Sequence, residues 1–282
     1  MRWIGLFLAI AGTLLGDSGS ANGPGSPAAA GTPSADEIVE RLIRRAESVG
    51  GSTNGIHYSW RRLTVIEDLD SQGRVEERRT KEHAVVGNAG VQKATLIRVN
   101  NQALAARDRD REQRRESENR DKYSRRSDRR GSMEIDEALI RRFRFQWLSN
   151  ELVDGRWGHV LAFEPKDGRD SGRIADRVIG SLKGRLWVDA EVYEVGRIDA
   201  KLERSVSVGG FIAELSDLEF FIQRRPLPSG DWVNVKLESR VSGRKLFDRF
   251  RGRMEVVQEQ FEPLSPDFGG GAVLGAIPEP SP

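Results

Sequence analysis

The sequence contains no cysteine, and this absence excludes several kinds of chemistry. Without thiols, the 282-residue chain has no disulfide framework, thiolate metal site, cysteine nucleophile or lipid-modified N-terminal cysteine. Its three histidines, His57, His83 and His159, are isolated in strand-like patterns and have no metal-ligand spacing. The sequence also lacks a P-loop and a dinucleotide-binding fingerprint. We therefore predict a non-enzymatic protein with no cofactor and no resident metal.

The chain has little net charge, with 45 Lys+Arg against 43 Asp+Glu. This balance argues against a nucleic-acid binder, which needs clustered basic charge. Charge is concentrated in one block, 107–130, where ten Arg, one Lys and seven acidic residues stand among 24 positions. Two interpretations stay open for this charged helical excursion. It is either a solvated or disordered segment, or an arm that docks on an envelope protein or a membrane surface.

The N-terminus has the three-part layout of a secretory signal peptide. Arg2 precedes thirteen uncharged residues, Trp3–Leu15, and small residues follow at 16–21. Thirteen residues are too few to span a bilayer as a helix, which needs about 20, although an uncleaved anchor is the alternative. We expect residues 1–21 to be removed and the protein to be periplasmic or otherwise exported. Since no cysteine follows, it is not expected to be a lipoprotein.

The remaining chain is predicted to be one domain with two tails. Residues 22–34 and 263–282 are rich in Pro and Gly and are predicted to be disordered. Between them, 35–262 is the folded domain. Its first helix is predicted to begin with a capping box, in which Ser34 and Glu37 satisfy each other's backbone amides, and to end at Gly50-Gly51.

Alternating apolar residues joined by short turns predict nine or ten antiparallel strands after this helix. A phase slip after Trp60 indicates a β-bulge, and Ser242-Gly243 is predicted to be a turn. A single strand is predicted over 185–195. Few helices are available, at about 34–49, 103–141 and 172–182. The predicted fold is mainly β, within the α+β class. It is a strongly curved, incompletely closed antiparallel β-barrel with helices packed in or over its concave face.

Seven aromatic residues fall in the predicted strands and are the candidate ligand-binding residues. They are Tyr58, Trp60, Trp187, Phe211, Phe220, Trp232 and Phe250. Two interpretations are open: they form an ordinary core beneath the helices, or some of them line a hydrophobic cavity for an acyl chain.

Several segments in this order resemble the LolA-like superfamily, the periplasmic carriers of lipoproteins and their relatives. The segments are the helix ADEIVERLIRRAESV (35–49), the strand HYSWRRLTVIEDLD (57–70), FQWL (145–148), GRWGHVLAFEPK (155–166), GRLWVD (184–189) and VGRIDA (195–200). The resemblance covers about 35–262 and implies an unclosed β-barrel with a helical lid over a hydrophobic cavity. The charged excursion is larger than a carrier loop, and the family's functional residues do not map onto positions here.

The sequence therefore predicts a periplasmic binding protein that holds a lipid, a lipoprotein acyl chain or another hydrophobic ligand in a half-barrel, with a role in lipoprotein or lipid trafficking. The alternative is an envelope interaction or sensor module with a filled core, which docks through 107–130. No nucleic-acid partner is expected, peripheral membrane contact is allowed, and a monomer is expected.

Overall fold

The computed structural model describes most of the chain between residues 33 and 264. The described ranges are 33–50, 58–88, 91–105, 107–108, 111, 114, 140–166, 174–208, 213–246 and 248–264. The predicted signal peptide, nearly all of both predicted tails, and Phe211 lie outside these ranges. Most of the charged excursion does too, although its described positions 107, 108, 111 and 114 are helical.

Helix α1 spans Ala35–Gly50 and begins with the predicted capping box. The Glu37 amide donates to Ser34 Oγ and the Ser34 amide donates to Glu37 Oε2, both at 3.2 Å. These bonds satisfy amides that the first helical turn leaves without partners. Ile38, Leu42 and Ile43 are buried at helical spacing, so one face of α1 packs against the rest of the domain. Helix α2, Ile174–Ile179, is shorter than the predicted 172–182.

Within the described ranges, twelve strands rather than the predicted nine or ten form one antiparallel sheet. They are β1 Tyr58–Leu69, β2 Val75–Asn88, β3 Val91–Val99, β4 Gln102–Ala103, β5 Phe143–Val153, β6 Arg156–Pro165, β7 Leu182–Asp189, β8 Val195–Leu202, β9 Val206–Val208, β10 Ala213–Pro226, β11 Trp232–Lys245 and β12 Asp248–Pro263. The strand order is β4-β3-β2-β1-β12-β11-β10-β8-β7-β6-β5, and β9 pairs with β10.

The sheet is curved but does not close into a barrel, which confirms the predicted fold class. Among the described strands, β4 and β5 are the two edges. Gly184 and Gly243 show how neighbouring strands approach where the sheet bends. A Cβ at Gly184 would overlap the backbone of Asp199, and one at Gly243 would overlap the backbone of Glu214. Only glycine fits such close backbone approaches.

Some predicted strand details were wrong. The bulge near Trp60 lies in β12 rather than in β1, since β1 pairs with β2 without a break there while Gln260 has a positive φ. The predicted turn at Ser242-Gly243 is strand, and the chain turns instead after Lys245, where Leu246 has φ 52°. The predicted strand 185–195 ends at Asp189, whose side chain accepts bonds from the amides of a turn.

Both helices pack on the same face of the sheet, which we call the core face; the opposite face is the outer face. Ile38 and Leu42 of α1 pack with Leu161, Leu186 and Val188 of β6 and β7. At the other end of these strands, Val178 of α2 packs with buried leucines of β7, β8 and β10. Among the described residues, neither helix is long and apolar enough to cross a bilayer.

Candidate functional site

A continuous row of apolar side chains crosses the core face from β6 to β12. In the pairing register, Leu161 lies beside Leu186, then follow Ile198, Ile222, Leu237 and Val256. Directly paired residues point to the same face. The row begins under α1, because Leu161 and Leu186 pack with that helix. It then continues beyond the residues that α1 contacts.

The middle of the core face carries what we call the central apolar strip. Its members are the buried Ile222, Leu237 and Met254 and the half-buried Ile66, Ile198, Phe220 and Val256. The strip contains residues of β1, β8, β10, β11 and β12, and no residue of either described helix belongs to it. Half-buried large apolar side chains leave surface that another apolar molecule can cover.

Helix α1 is held beside the strip by a buried ion triad as well as by apolar packing. Glu194 is 6% exposed at its side chain and accepts from Arg45 Nε at 3.0 Å and from Arg224 Nη1 at 3.2 Å. Arg224 also donates to the Trp232 carbonyl at 3.0 Å. The triad joins α1, the turn before β8, and β10. It fixes where the helix ends relative to the sheet.

Four of the seven predicted ligand-binding residues lie on the core face. Tyr58 and Trp60 are buried with Val85 and Val233, and Trp60 stacks on Phe261 with ring centroids 5.7 Å apart. Trp60 Nε1 donates to Gln258 Oε1 at 2.6 Å, so its polar atom has a partner. Phe220 belongs to the central apolar strip. Phe250 shares the face of Met254 by alternation and lies over Gly243.

Trp187 lies on the outer face instead, and Phe211 lies outside the described residues. The ring of Trp232 lies 5.9 Å from the guanidinium of Arg156, apart from the cluster around Trp60. Leu186 and Val188 pack under α1, so Trp187 between them points away. The guanidinium groups of Arg185 and Arg197 lie 5.1 and 4.5 Å from the Trp187 ring, whose Nε1 donates to Glu151 at 2.8 Å. The seven residues therefore do not form a single cluster.

The face on which Trp187 lies could have been predicted from the sequence. In GRLWVD, Leu186 and Val188 alternate with Trp187, so that the tryptophan falls on the opposite face. The strip residues Ile198 and Ile222 were visible as strand residues, but their meeting depends on the sheet register.

The outer face carries an open groove of about 830 Å³ that crosses β5, β6, β7, β8, β10 and β11. Phe145, Phe163 and Phe220 pack toward the core, so the groove's walls are the charged residues that alternate with them. Two ion pairs lie within the groove: Arg144 with Glu164 at 3.2 Å and Arg185 with Asp199 at 3.9 Å. Charged side chains of both signs thus line the groove, unlike the apolar strip on the other face.

His159 and Glu67 lie in different halves of the sheet, and folding lowers the pKa of each. Burial lowers the pKa of His159 on β6, as does the nearby positive charge of Arg41. His159 Nδ1 lies 2.7 Å from Asn150 Oδ1. On β1, a hydrogen bond from Arg253 lowers the pKa of Glu67 against the opposing effect of burial. Within the described ranges, no group of three or more His, Asp or Glu residues could hold a metal ion.

No family model and no curated protein sequence matches this chain. Several solved structures do. A DUF1329 family protein from Desulfovibrio piger is 12% identical, with 85% of this chain and 96% of that one covered and a TM-score of 0.38. The LolA superfamily protein NE2245 from Nitrosomonas europaea is 10% identical, with 83% and 94% covered and a TM-score of 0.26. The Mycobacterium tuberculosis lipoprotein LppX is 10% identical, with 82% and 99% covered and a TM-score of 0.30.

With TM-scores below 0.5 and identities of 10–12%, these structures assign no role to any residue of this chain.

Proposed function

We propose that this chain is an exported, non-enzymatic binding protein that holds an apolar ligand, such as a lipid acyl chain, against the core face of its curved sheet. The observation that supports this proposal is the central apolar strip. Its half-buried side chains continue the row that starts in the packed core under α1. An extended hydrocarbon lying along this row would cover the same kind of surface that α1 covers at the row's other end.

The physical argument is the cost of leaving this surface in water. Each Å² of apolar surface removed from water contributes about 25 cal/mol, so covering several large side chains favours an apolar ligand by several kcal/mol. The buried carboxylate of Glu194 does not oppose this, since Arg45 and Arg224 satisfy it. The ligand site therefore needs shape and apolar area rather than a specific charge.

Among the predicted ligand-binding residues, Phe220 is the one we place in direct contact with the ligand. Tyr58 and Trp60 form the aromatic wall of the site on the β1 side, and Phe250 lies toward its other end, past Gly243. Phe211, which lies outside the described residues, is a further candidate for contact with the ligand. Trp187 supports the sheet from the outer face in this proposal, and Trp232 packs beside Arg156. A role in lipid or lipoprotein trafficking would follow from such a site.

Two neighbouring phenylalanines provide a matched test. Phe220 and Phe221 are consecutive and both half-buried, but Phe220 packs in the strip while Phe221 lies on the outer face beside Arg197 at 4.9 Å. We expect purified wild-type protein to take up a fluorescent fatty acid. Phe220→Glu should weaken that uptake at least about tenfold, because it places a charge in the apolar site. Phe221→Glu should leave it nearly unchanged.

Both variants are first checked for cooperative unfolding by circular dichroism. Organic extraction of the wild-type protein followed by mass spectrometry should also release a stoichiometric lipid. No extracted lipid together with no probe uptake would contradict the proposal. Equal loss of uptake in the two folded variants would move the binding site away from the strip.

A further inference from the structure

The two edges of the sheet differ greatly in length. At one edge, β4 is only two residues long and follows a tight turn at Asn100 and Asn101, both of which have positive φ. At the other edge, β5 runs for 11 residues and contains neither proline nor lysine. Natural sheets usually shorten or charge their edges, because unpaired backbone groups there recruit further strands. Among the described strands, none pairs with the outward side of β5. Helix α1 packs on the core face of this strand, at Phe145 and Trp147, and Arg144 and Glu151 are its two charged residues.

The hairpin turn determines which residues of β5 present their backbone outward. Asp154 and Gly155 form a two-residue turn with φ 51° and 79°, and Val153 pairs with Arg156. In such a hairpin the flanking pair is hydrogen-bonded, and bonded and non-bonded pairs then alternate along the strands. Leu152 and Asn150 are therefore non-bonded toward β6. Their N–H and C=O groups point away from the sheet.

Exposed apolar side chains accompany this outward-facing backbone. Leu148 is 43% exposed, Leu152 is 59% exposed, and Trp157, which pairs with Leu152, is also 59% exposed. Leu148 is the extra residue of a bulge, since Trp147 and Ser149 pair with consecutive residues of β6. Counting back from Ser149 puts Leu148 on the same side as Asn150 and Leu152. Half of the exposed large hydrophobic residues of the described chain thus lie on this one hairpin.

We propose that β5 is the surface through which two copies of this chain pair, antiparallel, with Asn150 on the two-fold axis. An antiparallel strand pair is self-complementary, as a two-fold interface must be. In this register Leu148 of each copy lies opposite Leu152 of the other, and Trp157 extends each apolar pair. The pairing satisfies the outward backbone groups and covers all three exposed side chains at once. The proposed dimer is an alternative to the monomer that the sequence predicts.

The absence of cysteine allows the register to be tested directly. Residues that exchange hydrogen bonds across an antiparallel pair have Cα atoms about 5.5 Å apart, within disulfide range. We expect Asn150→Cys to form an intermolecular disulfide alone under mild oxidation. Leu148→Cys and Leu152→Cys should crosslink efficiently only when the two variants are mixed. Leu246→Cys, at a position 48% exposed in the β11–β12 turn, is the control and should not crosslink.

Oligomeric state provides the second measurement. By light scattering at tens of micromolar, the wild-type chain should have twice the monomer mass. Leu152→Lys should convert it to a monomer, raising the dissociation constant at least tenfold, while Leu246→Lys should leave the dimer intact. Thermal melting verifies that each variant is folded. A monomeric wild type, a dimer unaffected by Leu152→Lys, or crosslinking of Asn150→Cys no stronger than that of the control would overturn the proposal.

Discussion

The half of the core face on β5–β8 and the half on β1–β3 bury their apolar residues in different ways. Under α1, the residues Leu161 and Val188 are completely buried, and an ion triad ties the helix down. On the other half, Trp60 and Phe261 stack on each other, and no residue of a described helix belongs to their cluster. One face of a single sheet thus contains a fixed core and an aromatic wall. The central apolar strip lies between them.

The two halves of the core face therefore have different roles. The β5–β8 half is rigid, since helix α1 of the same chain covers its apolar residues. The strip and the β1 side supply apolar area that is only partly used within the described domain.

Breaking the ion triad should affect the helix-covered half most strongly. Glu194→Gln leaves two buried arginines without their shared carboxylate, and removing one partner of a buried ion pair typically costs about 3–5 kcal/mol. We expect a loss in this range in the free energy of unfolding, measured by urea denaturation. A loss below about 1 kcal/mol would show that apolar packing alone holds α1 in place.

Truncating a buried apolar side chain should lower the free energy of unfolding more under α1 than in the central apolar strip. Leu161 is fully buried under α1, so Leu161→Ala should lower the free energy of unfolding by about 3 kcal/mol. Val256 is half-buried in the strip, so Val256→Ala should cost about 1 kcal/mol. The same urea titration measures both variants. A cost for Val256→Ala equal to that for Leu161→Ala would mean that the strip is already as tightly covered as the helix site.

Acid should weaken the two halves at different pH values. The pKa of His159 is lowered by folding, so its contribution to stability is present above the unfolded value of about 6.5 and is lost as pH falls below it. The pKa of Glu67 is also lowered, so its contribution is lost only as pH falls below about 4.3. We expect each contribution to be less than about 1 kcal/mol.

Melting temperatures measured from pH 7 to pH 3 test this order. His159→Gln should flatten the curve between about pH 7 and 5.5, and Glu67→Gln should flatten it only below about pH 4.5. If His159→Gln left the upper part of the curve unchanged, the burial of His159 would not be the cause of the acid sensitivity of that half.

The sequence allowed the local features of this fold to be predicted, because they depend on neighbouring residues. The capping box of Ser34 and Glu37 followed from local pattern alone. The turn at Leu246 was missed, because Ser242-Gly243 has turn composition while the actual turn residue is a leucine with positive φ. Tertiary pairing overrode the local preference there.

Less of the candidate site than of the fold could be predicted from the sequence. Glu194 meets Arg45 across 149 residues, and no local spacing marks either residue as a partner. The strip depends on the register of β8, β10, β11 and β12, which alternation alone does not define. Aromatic residues were a reasonable marker for Trp60 and Phe220, but alternation had to be applied strand by strand to put Trp187 on the outer face.

The placement of the first strand beside the last one has a consequence for how this protein reaches its native state. β1 pairs with β12 in the middle of the sheet, so that Glu67 meets Arg253 across 186 residues. Neither half of the sheet can join the other until the end of the chain has been synthesised. Such distant pairing gives a high contact order and slow folding. A chain whose β12 has not yet left the ribosome would therefore present two separate half-sheets with unpaired edges, which makes it prone to aggregation until β12 pairs with β1.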